Sequence, residues 1–263
     1  MNETALRRPA TGPINKTHMK FALDGGVASR CRIGLIVLAT DHTIEAEWRQ
    51  VIRLPGVAVY ESRIQNSPEI NPETLAAMEK DLGKAASVIL PGIELDVIGY
   101  GCTSASVVLG EETVARRIQE ARPGVAVTNP ITAAITGMKK LGARRIALLT
   151  PYIEAVNQRF RGYIEGRGLE VTVMGSFNHE NDNEVARIST ASIRDAMIEL
   201  AQEPTVDGIF VSCTSLRVAD IVEEVEQKIG KPVTSSNLAL AWHCLRLAGI
   251  EDRLPGYGQL FRS

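Results

Sequence analysis

The sequence predicts an α/β protein of two pseudo-symmetric βα lobes, each a four-stranded parallel sheet flanked by helices, with the active site in the cleft between them. Three observations carry this expectation. Short apolar runs alternate with segments of helical spacing, the pattern of parallel sheets covered by helices. The tripeptide Cys-Thr-Ser occurs twice, as Cys102-Thr103-Ser104 and Cys213-Thr214-Ser215, each time closing an apolar run. Landmarks also recur at near-constant spacing: Ile33 as Ile146, Cys102 as Cys213 and Val127 as Val233, offsets of 113, 111 and 106 residues. A duplicated unit explains such spacing better than coincidence.

Taken in order, residues 1–30 read as a tail. Arg7-Arg8-Pro9, Gly12-Pro13 and Gly25-Gly26 break any periodicity, so the segment is a mobile arm or packs on a partner subunit. A first strand at 32–39 delivers Thr40-Asp41-His42-Thr43, and a helix follows through Glu45, Trp48 and Val51. Short polar residues there fit a helix cap and equally a ligand-facing loop. Asp41 could also tune a nearby thiol, and His42 reads as a surface or supporting residue. After a strand at 57–62, Asn71-Pro72-Glu73 opens a helix towards Ile89, proline being suited to a first turn. The third strand ends in Cys102, and a helix follows from about Val108. A short strand at 124–130 ends in polar residues that include Asn129, and a helix over 131–141 is stopped by Gly142. The second half repeats the order: strands at 145–150, 169–173, 206–211 and 232–237, and helices over 183–201, 218–229 and 238–248. The expected partition joins 31–129 and 238–263 as one lobe, with 130–237 as the other.

Composition narrows the function. The chain has 263 residues, 44% of them hydrophobic, with 29 basic and 31 acidic residues and a formal net charge of −2. That balance provides no field for nucleic acid or an anionic membrane. No apolar run approaches the roughly 18 residues of a membrane span, and the N-terminus lacks the apolar stretch of a secretory signal. A cytoplasmic protein is expected, where thiols stay reduced. Cys31, Cys102, Cys213 and Cys244 need not form disulfides, and their spacing lacks the close pairs of a zinc site.

Cys31 and Cys244 read as small buried hydrophobes. Cys102 and Cys213 differ: both end a strand, both precede Thr-Ser, and both fall at repeat-equivalent positions. Strand ends are where α/β proteins place their chemistry. Two opposed thiols can remove a proton from one face of a carbon and deliver one to the other, without metal or cofactor. Main-chain N–H groups at a helix start would favour the thiolate. Thr103, Ser104, Thr214 and Ser215 can hold a carboxylate and the enolate-like charge that develops. The same thiols could instead add to an activated double bond, permit rotation and leave. A small-carboxylate binding protein would need the hydroxyls but not the thiols.

At these residues the chain resembles the aspartate/glutamate racemase superfamily, in the branch that contains arylmalonate decarboxylase and maleate cis-trans isomerase. The resemblance runs from about residue 32 to 261. It rests on Gly142-Ala143-Arg144-Arg145-Ile146-Ala147-Leu148, Thr150-Pro151-Tyr152-Ile153, Ser212-Cys213, Pro232-Val233-Thr234-Ser235-Ser236 and Pro255-Gly256-Tyr257-Gly258-Gln259-Leu260-Phe261. It implies that Cys213 is the shared proton donor and that Cys102 is the racemase and isomerase cysteine found as glycine in the decarboxylase. By the same resemblance Tyr152 contacts a substrate carboxylate, and Thr103, Ser104, Thr214 and Ser215 hold one. Thr40, Asp41 and Asn129 complete the expected binding set, and Asp41 stands where isomerases tend to have Asn and amino-acid racemases Asp. The implied activity is racemisation or isomerisation of a small carboxylate, an amino or N-acyl amino acid, with maleate-type isomerisation and arylmalonate-type decarboxylation as alternatives. Two-cysteine proteins of ectoine breakdown are similar, and relatives imply a homo-oligomer. The loops at 66–71 and 178–183 are expected to choose the substrate.

Overall fold

A computed structural model describes residue 12 and residues 15–263. The expected tail therefore lies partly outside the described residues; from 15 to 30 it has no helix or strand. Two sheets follow. The first contains β1 (Cys31–Leu38), β2 (Val57–Ile64), β3 (Val97–Gly101) and β4 (Ala126–Thr128), in the order β2-β1-β3-β4. The second contains β5 (Arg145–Thr150), β6 (Glu170–Ser176), β7 (Gly208–Val211) and β8 (Val233–Ser235), in the matching order β6-β5-β7-β8. Every strand pairing within the two sheets is parallel. The two-lobed α/β architecture expected from the repeat is thus present. β3 and β7 are buried along their whole length, because helices cover both sheet faces and leave these inner strands no polar side.

The helices are α1 (Ile44–Val51), α2 (Pro72–Ala76), α3 (Leu82–Ser87), α4 (Thr103–Leu109), α5 (Glu111–Ala121), α6 (Pro130–Lys140), α7 (Glu154–Glu165), α8 (Asp182–Val185), α9 (Thr190–Leu200), α10 (Val222–Ile229), α11 (Ser236–Leu247) and α12 (Gln259–Arg262). Several differ from the sequence reading. The helix expected to run from Asn71 towards Ile89 is interrupted by a 3-10 segment at Ala77–Asp81, and nothing in those residues explains the break. A helix starts directly at Thr103, and Gly110, at φ +80°, separates it from α5; only glycine takes that conformation at little cost. The helix expected over 183–201 divides because Ser189 caps α9, its hydroxyl accepting from Ser192 N–H at 3.0 Å. Helices α7 and α12 have no counterpart in the sequence reading.

Two helices lock the lobes together. α6 and α11 pack on one another, and each covers the sheet of the other repeat. A Cβ on Gly99 of β3 would meet the Cys244 sulfur of α11 at 3.1 Å, and one on Gly208 of β7 would meet the Met138 sulfur of α6 at 3.2 Å. Glycine in these strands lets the crossing helices approach. We propose on this basis that 31–129 with 238–263 forms one lobe and 130–237 the other.

Glu47 of α1 ties the first lobe to the loop that follows β7. Its Oε1 accepts from the N–H groups of Val218 and Ala219 at 2.6 and 2.7 Å, and its Oε2 from Asn237 Nδ2 at 2.7 Å. Residues 214–221 are turns and irregular chain held by these bonds, and α10 starts at Val222 rather than at Val218. Asn237 also donates to the Thr214 carbonyl at 2.8 Å, and Trp48 Nε1 donates to the Asn237 carbonyl at 3.1 Å. Glu47→Ala strands three buried donors. It is expected to lower unfolding free energy by about 3 kcal/mol, read from the urea midpoint at unchanged slope.

Candidate active site

Cys102 and Cys213 line one cavity of about 20 Å³ between the lobes, room for roughly one water. Thr103 and Ser104 join Cys102 from the first lobe; Tyr152, Asp182 and Thr214 join Cys213 from the second. Leu38, Ile70, Leu75 and Met78 supply an apolar wall, and Asn66 and Ser67 a polar edge. Two loops close it: Ile70 N–H donates to the Glu180 carbonyl at 3.1 Å and Asp182 N–H to the Pro68 carbonyl at 3.0 Å, with a Glu69–Asn181 antiparallel bridge between them.

Each thiol is set by its strand end. Cys102 follows β3 in extended conformation and caps α4, its sulfur accepting from Ala105 N–H at 3.4 Å. Ser104 Oγ lies 3.7 Å from that sulfur. Cys213 follows β7 at φ +134°, a region that costs an L residue of order 1–3 kcal/mol and clusters at functional sites. Its N–H donates to Ser236 Oγ at 3.0 Å, and Ser236 Oγ in turn bonds Thr103 Oγ1 at 2.8 Å. One hydroxyl at the start of α11 therefore joins the two cysteine loops. Tyr152 lies beside Cys213, and Tyr100, whose hydroxyl donates to Met78 Sδ at 3.8 Å, lies near Cys102.

The charge state differs from the sequence expectation. Burial pushes the Cys102 thiol up to about 11, more than the Ala105 N–H and Ser104 hydroxyl pull it down. Burial and then the neighbouring Asp182 carboxylate push Cys213 higher still. A helix start favours the thiolate only at Cys102, because the chain after Cys213 forms turns. Desolvation outweighs the N–H groups at both.

The structure brings together Cys102, Thr103, Ser104, Tyr152, Cys213 and Thr214. Among the expected binding residues, Thr40, Asp41, Asn129 and Ser215 do not line the cavity. Asn129 is occupied as the cap of α6, accepting from Thr132 N–H at 3.1 Å. Asp41 Oδ1 accepts from the N–H groups of Thr43 and Ile44 at 2.7 and 2.9 Å, at the start of α1. Its Oδ2 is buried without a hydrogen-bond partner. Thr40 and Ser215 stand behind the wall and donate to Asp182, at 2.5 and 2.7 Å. His42 is exposed and bonds Asn183 at 2.9 Å. Cys31 and Cys244 are buried, unpaired core residues. Sequence reasoning missed Tyr100, Ser236 and most of the apolar wall; it did not name Asp182, but the loops it singled out, 66–71 and 178–183, supply Asn66, Ser67, Ile70 and Asp182 to the lining. Tyr100 was readable, since residues two apart in a strand share a face; Asp182 sits in a segment without periodicity.

Two lobes of parallel sheet with a thiol from each in the cleft define a class of paired-cysteine α/β protein. The chain belongs to the arylmalonate decarboxylase family, whose model matches residues 68–261, a branch of the aspartate/glutamate racemase superfamily. It is 38% identical over 140 residues to arylmalonate decarboxylase of Bordetella bronchiseptica, covering 52% of this chain and 58% of that enzyme, little more than half of its length. It is 28% identical over 242 residues to maleate isomerase of Nocardia farcinica, covering 88% of this chain and 96% of that one. Maleate isomerase of Pseudomonas putida superposes with a TM-score of 0.81 at 25% identity, covering 89% and 98% of the two chains. A cysteine-to-serine mutant of the Nocardia farcinica maleate cis-trans isomerase, with a covalently bound succinylcysteine intermediate, superposes at 0.78 with 26% identity, covering 88% and 98%.

Because the folded Cys102 thiol is the weaker acid, it contributes stability below its ordinary value of 9.0 that is lost as pH rises through about 11. Ultraviolet thiolate absorbance of the folded chain is expected to grow mainly towards pH 11, where burial places both Cys102 and Cys31, and Cys102→Ser should remove the Cys102 share of that step. A step below pH 9 assigned to Cys102 would contradict the buried setting.

Proposed function

We propose that this chain is a two-cysteine isomerase of a small carboxylate, in which Cys102 and Cys213 act on opposite faces of one bound carbon. The observation that carries the reading is the single cavity lined by both thiols and by the hydroxyls of Thr103, Ser104, Thr214 and Tyr152. In racemisation one sulfur, as thiolate, takes the proton beside the carboxylate. The electron pair moves onto the carboxylate oxygens, where hydroxyl and N–H donors stabilise it. The other sulfur, as thiol, returns its own proton to the opposite face, so the pair ends with its roles exchanged. The substrate needs more than 20 Å³, so the loops joined at Glu69 and Asn181 must part for entry. An amino or N-acyl amino acid, of the kind met in ectoine breakdown, is the finer reading.

A second reading is cis-trans isomerisation, favoured by the succinylcysteine held by the Nocardia farcinica relative. There a thiolate adds to a double bond, the new single bond rotates, and the thiolate leaves. Decarboxylation of an arylmalonate ranks third, because a second thiol has no part in it.

In deuterium oxide, turnover by the proposed racemase incorporates deuterium at the carbon beside the carboxylate. Cys102→Ser and Cys213→Ser should each lower turnover by about 10²–10⁴-fold with unchanged circular dichroism. A cysteine adduct on intact mass would select the second reading, released carbon dioxide the third. Retained turnover in both variants would sink all of them. Assembly into a homo-oligomer belongs to the same proposal and is supported by the exposed apolar side chains of Met19, Phe21, Leu23 and Val27. Light scattering should give a multiple of 28.5 kDa.

A further inference from the structure

On the proposed reading the cavity takes a carboxylate, yet among the described residues no Lys, Arg or His lines it. Its one buried charged side chain is an acid, Asp182, 5% exposed. Two hydroxyls donate to that carboxylate, Ser215 to Oδ1 at 2.7 Å and Thr40 to Oδ2 at 2.5 Å, and no ion pair reaches it among the described residues. Each oxygen keeps an acceptor site free. A buried carboxylate held by hydroxyls alone is undercompensated, since burying a charge is costly unless it is paired. A second acid lies behind it: Asp41, 3% exposed, with Oδ2 unpartnered. Arg63 does not relieve the cavity. It stands on the outer side of the Asp41 loop, donates to the main-chain oxygens of Leu38, Ala39 and Asp41, and pairs with Glu45 at 2.9 Å.

A dicarboxylate entering this cleft would bring two further negative charges towards Asp182 with no cation to meet them. A carboxylate that carries its own cation would not. We propose that Asp182 is a specificity-determining residue that accepts a protonated nitrogen of the substrate, so that the molecule turned over is an amino carboxylate rather than a dicarboxylate. This rests on the two-thiol reading of the site and names its substrate class. The geometry is consistent with proton chemistry: Asp182 lines the same cavity as both sulfurs, so a nitrogen paired with it lies next to the carbon they address. The substrate's cation would also offset the repulsion that Asp182 exerts on thiolate formation, lowering the barrier to forming the base only when the right molecule is bound.

The test is a calorimetric binding panel on the full chain. α-Amino carboxylates are each matched with the α-hydroxy acid and the malonate of the same skeleton. Amino members are expected to bind at least tenfold more tightly than their malonates. Asp182→Asn, which keeps the shape and can still bond Thr40 and Ser215, should remove that preference; Asp182→Glu should restore part of it. Malonates binding as well as or better than amines to the unaltered protein would overturn the proposal, as would an unchanged preference in Asp182→Asn or binding by no amine. Should Asp182→Asn fail to fold on thermal melting, the comparison on the unaltered protein decides alone. An amine preference without deuterium exchange would leave this inference standing and remove the two-thiol reading, so the two fail separately.

Discussion

The hydroxyl of Ser236 is the contact on which the site's geometry depends. It accepts from the main chain of Cys213 and bonds the side chain of Thr103, so a single oxygen fixes the strand tip of one lobe against that of the other. Cys213, bound there, sits at a positive φ that a free loop would avoid. Around it the seam is continued by the Thr43 hydroxyl to the Ser215 carbonyl at 3.0 Å and by Glu47 and Asn237. These bonds are buried, and each broken one would leave a polar group without water, which is why the two thiol loops behave as one unit.

That rigidity has an electrostatic cost. Packing the lobes closely excludes water from both sulfurs and raises both thiols. Hydroxyls, amide N–H groups and two tyrosines surround them, with no fixed cation at the wall among the described residues. Such a site stabilises charge that develops during reaction more than charge present beforehand, the condition under which preorganised dipoles accelerate a step. The proposed selection by charge falls to Asp182, which lines the cavity beside an apolar wall of Leu38, Ile70, Leu75 and Met78.

The cover is built differently from the floor. Thiols and hydroxyls come from strand ends, which sheet hydrogen bonding positions. The roof comes from the segments around Glu69 and Asn181, joined by a two-residue bridge and few bonds. Short pairings of this kind open at lower free energy than a sheet, which suits elements that must part for a ligand.

Much of the floor could be read from the chain alone. Duplication made Cys102 and Cys213 equivalent, apolar runs before them defined inner strands, and the Thr-Ser pairs after them marked polar tips; local pattern suffices for these because strand burial and chain reversal are local properties. The family was legible for the same reason, in motifs around Tyr152, Cys213 and Ser236. Tertiary structure alone decided that Asn129 is spent on the cap of α6 and one oxygen of Asp41 on the N–H groups that start α1, that Asp182 enters the cavity from a segment without periodicity, and that α6 and α11 exchange sheets. It also reversed the expected ease of ionising the thiols. Each of these outcomes depends on which groups meet across long sequence separations and on how much water is left between them, and a linear pattern encodes neither.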